Sequence, residues 1–416
     1  MRDTVGAPSG RRAWIAGLAV IGPGLIVMLA DTDAGSIITA AQSGAQWGYR
    51  LLLLQAVLIP ILYVVQELTV RLGLVTGQGH GELIRQTFGA KWAWFSCSTL
   101  LVACLGALVT EFSGMAGVGL LFGIPAWVTM LVVVGGMTAM IWTGSYRSVE
   151  RIAVAFGAFE LVFLYVALKA HPDVRAVMAG LRQIPLHDTR YLYLAAANIG
   201  AVIMPWMIFF QQSAVVEKGL NAGHLPMARR ETAVGAVVTQ LVMAAVLAAA
   251  AATIGVSNPN APLDTVQQIS NTLVPFLGWG VGRAVFAAGM MGAAMVAAIV
   301  VALTAAWGVG EVAGYRRSLA DHPLEAPWFY GIVTVCLIMA GILVASDAVN
   351  LVDLSVAIQV VNALMLPAVL GFLFALGRKA LPEPYRLKGV YAWVAGLTIA
   401  ATAGFGVFSA IVGFIN

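Results

Sequence analysis

Two aspartates in the middle of an apolar segment are the residues of this chain best placed to bind a cation. The segment reads VMLADTDAGSIITAAQ over residues 27–42, and it contains Asp31 and Asp33. An ionised carboxylate at bilayer depth is costly, and such residues usually mark an ion pathway. Gly35 weakens the helix beside them and so exposes backbone carbonyl groups. Because a cation would stabilise both the carboxylates and these carbonyls, the segment predicts a cation site in a membrane.

A second interrupted apolar segment reads LAAANIGAVIMPWMIFFQQSAVV over residues 194–216. We expect its helix to break at Gly200 and again at Pro205, because proline lacks a backbone N–H and clashes with the preceding turn. Irregular backbone at membrane depth persists where it is buried in protein or lines a cavity. Interrupted helices at matching places in two halves of a chain indicate the central site of a transporter.

The composition is that of an integral membrane protein. Of the 416 residues, 60% are hydrophobic and 10% are charged, whereas soluble domains carry about 25% charged residues. The net charge of +4 is small, and we expect no nucleic-acid partner. The three cysteines lie in apolar stretches without the spacing of a zinc site or a disulfide framework.

Runs of about 20 apolar residues predict an all-α protein with eleven membrane spans in one polytopic domain, residues 1–416. The spans lie near residues 16–42, 50–74, 95–121, 124–143, 152–170, 191–216, 231–255, 279–312, 328–346, 351–377 and 390–414. Spans one to five (16–170) and six to ten (191–377) would form two inverted repeats, with helices one and six broken. The eleventh span, 390–414, is an addition to them.

The positions of lysine and arginine predict the orientation of the chain. With the N-terminus in the cytoplasm, 17 of the 23 Lys and Arg residues fall in cytoplasmic segments, as the positive-inside rule requires. An odd number of spans then places the C-terminus outside the cell.

Several motifs together resemble those of the Nramp divalent-metal transporters, a family with the LeuT-type fold. The motifs are GPGLIVMLADTDAGS, QSGAQWGYRLLLLQ, RLGLVTGQG, LLFGIPAW, GAVIMPW and SVAIQVVNALMLPAV. The resemblance covers most of the chain. It implies alternating access, in which a central site faces each side of the membrane in turn.

The resemblance also implies a set of metal ligands. In the first span, Asp33 occupies the position of the metal-binding carboxylate, and Ser36 replaces the ligand asparagine. In the sixth span, Ala201 would contribute its backbone carbonyl and Met204 its thioether. Gln359 in the tenth span would approach the ion when the site closes.

Departures from the family pattern concern the residues that couple metal to protons. Trp206 and Gln211 stand where the family has two histidines, and both are expected near the cavity. Leu108 replaces a third-span aspartate, while Glu111 matches the family glutamate. An intramembrane proton relay needs chains of Asp, Glu or His. These departures resemble the branch of Nramp-related magnesium transporters, which import Mg²⁺ and Mn²⁺ without proton coupling.

The ligand chemistry agrees with Mg²⁺ except at one residue. Mg²⁺ prefers oxygen ligands and keeps several of its waters, and serine is short enough to leave room for a water between Ser36 and the ion. The thioether of Met204 is soft and favours transition metals if it contacts the ion directly. In a cavity wide enough for a hydrated ion, the sulfur would not contact the metal.

The other polar residues leave alternatives open. Asp31 is either a second cation ligand or a hydrogen-bond acceptor that caps the broken helix. Glu111 either lines the ion path or is a neutral buried acid bonded to a neighbour. Trp206 either shapes the cavity or is an ordinary packed aromatic. We expect Glu67 to pair with Arg71 one helical turn away.

Three functions follow in order of preference. The first is uncoupled import of Mg²⁺ and Mn²⁺ across a bacterial inner membrane by a monomer, with no cofactor besides the transported ion. The second is proton-coupled transport of Mn²⁺ or Fe²⁺, as in ordinary Nramp proteins. The third is a LeuT-type carrier for an amino acid or amine, which the negative charge of Asp33 opposes. The absence of a P-loop or nucleophile elbow from the sequence argues against an enzyme.

Overall fold

We describe a computed structural model over residues 22–143, 158–257, 263–273, 278–319, 321–346 and 350–415. Every regular element in these ranges is helical. The α-helices are α1 (Pro23–Asp31), α2 (Ala34–Trp47), α3 (Leu52–Thr76), α4 (His80–Phe88), α5 (Ala90–Leu121), α6 (Ala126–Thr143), α7 (Val162–Lys169), α8 (Val174–Arg182), α9 (Thr189–Val202), α10 (Pro205–Glu217), α11 (Leu225–Ser257), α12 (Val266–Leu273), α13 (Trp279–Ala313), α14 (Pro327–Ala345), α15 (Leu351–Lys379) and α16 (Gly389–Ile415). Short 3-10 helices span Gly48–Leu51, Ala158–Leu161 and Ala222–His224.

Helices long and apolar enough to cross a membrane form nine stretches within the described ranges. Two of the eleven predicted spans account for the difference. The second half of the first span and the whole second span run together as one stretch, Ala34–Thr76. The fifth predicted span, 152–170, is described only from residue 158. The all-helical membrane architecture is confirmed.

Both predicted broken helices are present. Helix α1 ends at Asp31, Thr32 and Asp33 are not helical, and α2 begins at Ala34. Helix α9 ends at Val202 and α10 begins at Pro205. The prediction of a break at Gly200 is wrong, because Gly200 lies inside α9. Glycine is there for packing: a Cβ on Gly200 would collide with the backbone carbonyl of Gln359 in α15.

Small residues bring the helices around the two breaks into close contact. Helix α2 reads AGSIITAAQSGAQW and packs along α11. A Cβ on Gly44 of α2 would collide with the backbone carbonyl of Leu247 in α11. Membrane helices associate through such van der Waals contacts, because lipid provides no hydrophobic force between them. The first broken helix is therefore held between α11 and α5, which contributes Gly114 against Ala34.

A buried ionic cluster joins three helices at the end of α3. Glu67 forms the predicted ion pair with Arg71, at 2.6 Å. It also accepts hydrogen bonds from Arg229 Nε of α11 at 2.8 Å and from the Tyr391 hydroxyl of α16 at 2.9 Å. Glu67 is 1% exposed, so its charge depends on these three donors for stabilisation.

Helix α4 lies between α3 and α5 in the chain and forms hydrogen bonds with α10 and α13. The Gly81 N–H donates to Glu311 Oε2 of α13 at 2.8 Å. His80 Nδ1 lies 3.0 Å from Gln212 Oε1 of α10, and its ring packs edge-on against Phe209. Complete burial lowers the pKa of His80 to about 4, so its imidazole is neutral at pH 7.

Candidate metal site

The first break presents one oxygen of Asp33 without a partner. Asp33 is the N-cap of α2, and its Oδ1 accepts the N–H of Ser36 at 2.6 Å. This satisfies one of the unbonded donors at the start of the helix, whose partial positive charge stabilises the carboxylate. Its Oδ2 is buried and has no hydrogen-bond partner among the described residues. The carboxylate is thus fixed by one oxygen and can bind a cation with the other.

The second break exposes the carbonyl of Ala201. In a continuous helix this carbonyl would accept the N–H of residue 205, but that residue is Pro205 and has no N–H. The Ser36 hydroxyl donates to the Ala201 carbonyl at 3.0 Å. One hydrogen bond therefore joins the two broken helices across 165 positions of the sequence. A carbonyl oxygen has a second lone pair, so Ala201 can accept this bond and still contact a cation.

Met204 and Trp206 form the wall of the second break. Met204 is the N-cap of α10 in an extended conformation, with φ −94° and ψ 141°. Its sulfur accepts a hydrogen bond from Trp206 Nε1 at 3.2 Å. Both side chains are 0% exposed. Trp206 therefore contacts the proposed ligand Met204 directly, which favours its role in shaping the site over that of a packed aromatic elsewhere.

Gln359 reaches the first break from α15. A Cβ on Gly35 would collide with Gln359 Nε2 and would lie 3.1 Å from Thr110 Oγ1. Gln359 Oε1 accepts a hydrogen bond from Asn362 Nδ2 at 2.9 Å, while Gln359 Nε2 has no partner among the residues described. The missing side chain of Gly35 makes room for the Gln359 amide in this position. The Gln359 amide thus lies beside Gly35 at the start of α2.

Three further acids surround the first break, and each is at most 2% exposed. Glu111 Oε2 accepts the N–H of Ala34 at 3.1 Å, and the Glu111 carboxyl group faces that of Asp33. Neither oxygen of Asp31 has a partner in the described ranges, so the structure offers no donor for a capping role. Glu160 lies beside the Thr32 hydroxyl, a contact that sequence reasoning did not identify because the two residues are far apart in the chain.

Gln211 is not brought to the breaks. It lies on α10, where its Nε2 contacts Thr232 Oγ1 at 3.4 Å and faces Gly24 of α1. Its Oε1 is buried and has no partner within the described part of the chain. Gln211 therefore lies between α10, on which it sits, and its neighbours α1 and α11, away from the five predicted ligands.

The five predicted ligands are closed off from solvent, with exposures of 0–3% for Asp33, Ser36, Ala201, Met204 and Gln359. No three His, Cys, Asp or Glu side chains form a metal-binding group in the ranges that the structure covers. The donor atoms of the five predicted ligands are one carboxylate, a hydroxyl, a backbone carbonyl, a thioether and an amide. This set is rich in oxygen and leaves coordination positions for water.

Comparison with known proteins agrees with the fold. The family model described as natural resistance-associated macrophage protein-like (Nramp) matches residues 24–411. A relative named divalent metal cation transporter MntH from Granulibacter bethesdensis is 25% identical over 94% of this chain and 88% of its own length. The protein of the same name from Xanthomonas campestris is 30% identical over 69% of this chain and 67% of its own.

Solved structures share the arrangement of helices. The Eremococcus coleocola manganese transporter superposes with a TM-score of 0.75 at 20% identity, over 99% of this chain and 91% of that one. The transporter MhsT, solved with L-phenylalanine, has a TM-score of 0.60 at 12% identity, over 94% of this chain and 97% of that one. These likenesses confirm the LeuT-type fold. Since the family model covers both broken helices and α15, this chain belongs to the Nramp family.

Proposed function

We propose that this protein imports divalent cations, Mg²⁺ and Mn²⁺, by alternating access and without moving protons. Its relatives are named divalent metal cation transporters. The observation that carries the proposal is the pairing of Asp33 with Ala201. Asp33 Oδ2 in the first break has no partner among the described residues. Ser36 connects this carboxylate to the second break, because its N–H donates to Asp33 Oδ1 and its hydroxyl donates to the Ala201 carbonyl. That carbonyl receives no backbone N–H from Pro205.

The donor atoms around the breaks favour a hard ion that keeps part of its water. Asp33 supplies the one carboxylate expected for Mg²⁺ bound by few protein groups. Ser36 is already bonded at both ends, by its N–H to Asp33 and by its hydroxyl to Ala201. A water on the ion can therefore bond to the serine oxygen without displacing either contact.

Gln359 can present an oxygen to the ion by a local rearrangement. Gln359 Nε2 and Asn362 Oδ1 both lack partners among the residues described. Rotating both amides by half a turn would pair these two atoms and turn Gln359 Oε1 towards Gly35. One hydrogen bond between the two side chains is kept, so the rearrangement costs little.

The residues at the coupling positions support transport without protons. Trp206 and Leu108 are buried and cannot titrate, and Gln211 is a neutral amide bonded to Thr232. The membrane potential alone supplies about 2.3 kcal/mol per elementary charge per 100 mV. A divalent ion gains roughly twice this on entering a cell with a negative interior, so no second driving ion is required.

The predicted orientation and repeats belong to the same proposal. Arg71 and Arg229, both predicted to be cytoplasmic, meet at Glu67, and Arg71 also donates to the Tyr385 carbonyl at 3.3 Å. This contact supports a common cytoplasmic end for α3, α11 and the segment before α16. We propose that 16–170 and 191–377 rock against each other around the breaks, in a bacterial inner membrane with the N-terminus inside and the C-terminus outside.

Proton-coupled transport of Mn²⁺ or Fe²⁺ is the second candidate, and a specific contact favours it. The carboxyl groups of Asp33 and Glu111 face each other at the first break. One proton shared between two such groups is a common arrangement. Release of that proton to the interior as the metal enters would make the two fluxes run in the same direction.

Purified protein in liposomes distinguishes the two candidates. A Mg²⁺ reporter and a pH dye inside the vesicles are read in parallel, for the wild type, Asp33→Asn and Asp188→Asn. Asp188 is the matched control, because it is also a helix N-cap but is exposed and lies outside the site. We expect Mg²⁺ entry that follows the potential, requires Asp33 and leaves the internal pH unchanged. Acidification with Mn²⁺ entry and no Mg²⁺ entry would refute uncoupled transport.

A further inference from the structure

We infer that Trp206 sets the metal preference of the site by donating its indole N–H to the sulfur of Met204. The inference rests on the proposed function, in that it concerns the same ion site. It assigns to Trp206 the role of a specificity-determining residue that acts through its neighbour rather than by touching the ion.

The geometry fixes the two side chains against each other. Trp206 Nε1 lies 3.2 Å from Met204 Sδ, within the distance of a hydrogen bond to sulfur. Pro205 between them restrains the backbone at the start of α10. Both side chains are 0% exposed, so water does not compete for either group.

The buried indole N–H needs a hydrogen-bond acceptor, and Met204 Sδ is that acceptor. It is a donor without acceptor capacity, and buried indoles usually find a partner. A metal ion on the same sulfur would draw electron density away from it and would face the positive end of the N–H dipole. The sulfur has a second lone pair that a soft metal can use, but the metal then binds more weakly than it would to a sulfur without this hydrogen bond.

Hard and soft ions are affected differently. Mg²⁺ binds oxygen and has little use for a thioether, so the contact costs it nothing. Cd²⁺ gains most from sulfur and loses most when the sulfur is engaged. Trp206 thereby reduces the extra affinity, relative to Mg²⁺, that a soft metal gains from the sulfur of Met204.

The experiment compares binding of Cd²⁺ and Mg²⁺ to the purified full-length protein by titration calorimetry. The variants are Trp206→Phe, Met204→Leu, the double variant, and Trp307→Phe as a matched control. Trp307 is also buried, and its Nε1 donates to the Arg317 carbonyl at 2.7 Å outside the ion site. Phenylalanine keeps one aromatic ring at both positions and removes the N–H donor together with the second ring of the indole, so the Trp307→Phe control undergoes the same loss of volume.

We expect Trp206→Phe to raise the affinity for Cd²⁺ relative to Mg²⁺ by about threefold to tenfold, the range of one ordinary hydrogen bond. Trp307→Phe should leave the ratio unchanged. Met204→Leu should reduce Cd²⁺ binding by a larger factor in the Trp206→Phe background than in the wild type, because the sulfur is free there. An unchanged ratio in Trp206→Phe, or equal effects of Met204→Leu in both backgrounds, would overturn the inference.

A spectroscopic measurement covers the case in which Trp206→Phe fails to fold. With ¹⁵N-labelled tryptophan, the indole resonance that Met204→Leu displaces identifies Trp206. Cd²⁺ should shift this resonance and Mg²⁺ should not, and equal shifts would contradict the inference. If the wild type neither binds nor transports Mg²⁺, the proposed function fails, while the Cd²⁺ comparison between single and double variants still decides the role of Trp206.

Discussion

Replacing Gly200 by alanine tests whether α9 and α15 must approach as closely as the structure has them. A Cβ at this position would collide with the Gln359 carbonyl oxygen and would lie 2.8 Å from Ala363 N. Both atoms belong to helix backbone and cannot rotate away, so the helices must separate. Overpacking of this kind costs about 1–3 kcal/mol, and the better helix propensity of alanine returns roughly 0.5–1 kcal/mol of it. The expected net loss of stability is about 1–2 kcal/mol.

The same change should impair transport, because it displaces Gln359 from its position on Gly35. A misplacement of about 1 Å at a reacting or binding centre costs up to roughly 100-fold in rate, and we expect a fall of at least about tenfold in initial Mg²⁺ uptake. Thermal unfolding in detergent, followed by tryptophan fluorescence, gives the stability, and liposome uptake gives the rate.

Gly371, on the facing helix α15, is the matched control for Gly200. A Cβ added there meets nothing within 4 Å, so Gly371→Ala should gain about 0.5–1 kcal/mol from helix propensity and transport normally. The reasoning is refuted if Gly200→Ala has the melting temperature and uptake rate of the wild type, or if the two alanine variants are equally destabilised.

Two further substitutions test the contacts that α3 and α4 make with neighbouring helices. Glu67→Gln leaves the buried guanidinium of Arg71 without its carboxylate, so we expect a loss of about 3–5 kcal/mol; Glu383→Gln, whose ion pairs are exposed, should show no measurable change in the same unfolding assay. The pKa of His80 is lowered by burial to about 4, below its ordinary value of about 6.5. As pH falls from 6.5 towards 4, the unfolded chain binds a proton that the folded chain does not, so stability should fall by roughly 3 kcal/mol. His80→Gln should flatten this dependence in melting curves taken from pH 7 to 4, and an unaltered slope would contradict it.

The two breaks could be predicted from the sequence because each has a local cause. An aspartate, which favours a helix N-cap, and a proline within an apolar run disfavour a continuous helix wherever they occur. The expectation that Gly35 weakens the helix is wrong, because Gly35 lies inside α2. Gly200 misled the same reasoning, because a glycine that permits close packing has the same appearance in sequence as one that ends a helix. The distinction depends on Gln359, which lies 159 positions away along the chain.

Contacts between distant residues mark the limit of what sequence reasoning found. The pair of Glu67 and Arg71 follows from their spacing of four on one helix, and the structure confirms it. The additional bonds of Glu67 to Arg229 and Tyr391 join residues 162 and 324 positions apart, which no local pattern indicates. The hydrogen bond from Trp206 to Met204 joins residues two positions apart, but it depends on side-chain orientations that the amino-acid sequence does not specify.

Equilibrium binding of Mg²⁺ and Mn²⁺ to the wild type, Asp33→Asn and Asp188→Asn tests the central claim most directly. Asparagine is as good an N-cap as aspartate, so Asp33→Asn keeps the bond to the Ser36 N–H and removes the charge. We predict one divalent ion per chain in the wild type and in Asp188→Asn, and at least about a tenfold weaker affinity in Asp33→Asn. Binding of equal strength to Asp33→Asn and the wild type would show that the ion site lies elsewhere.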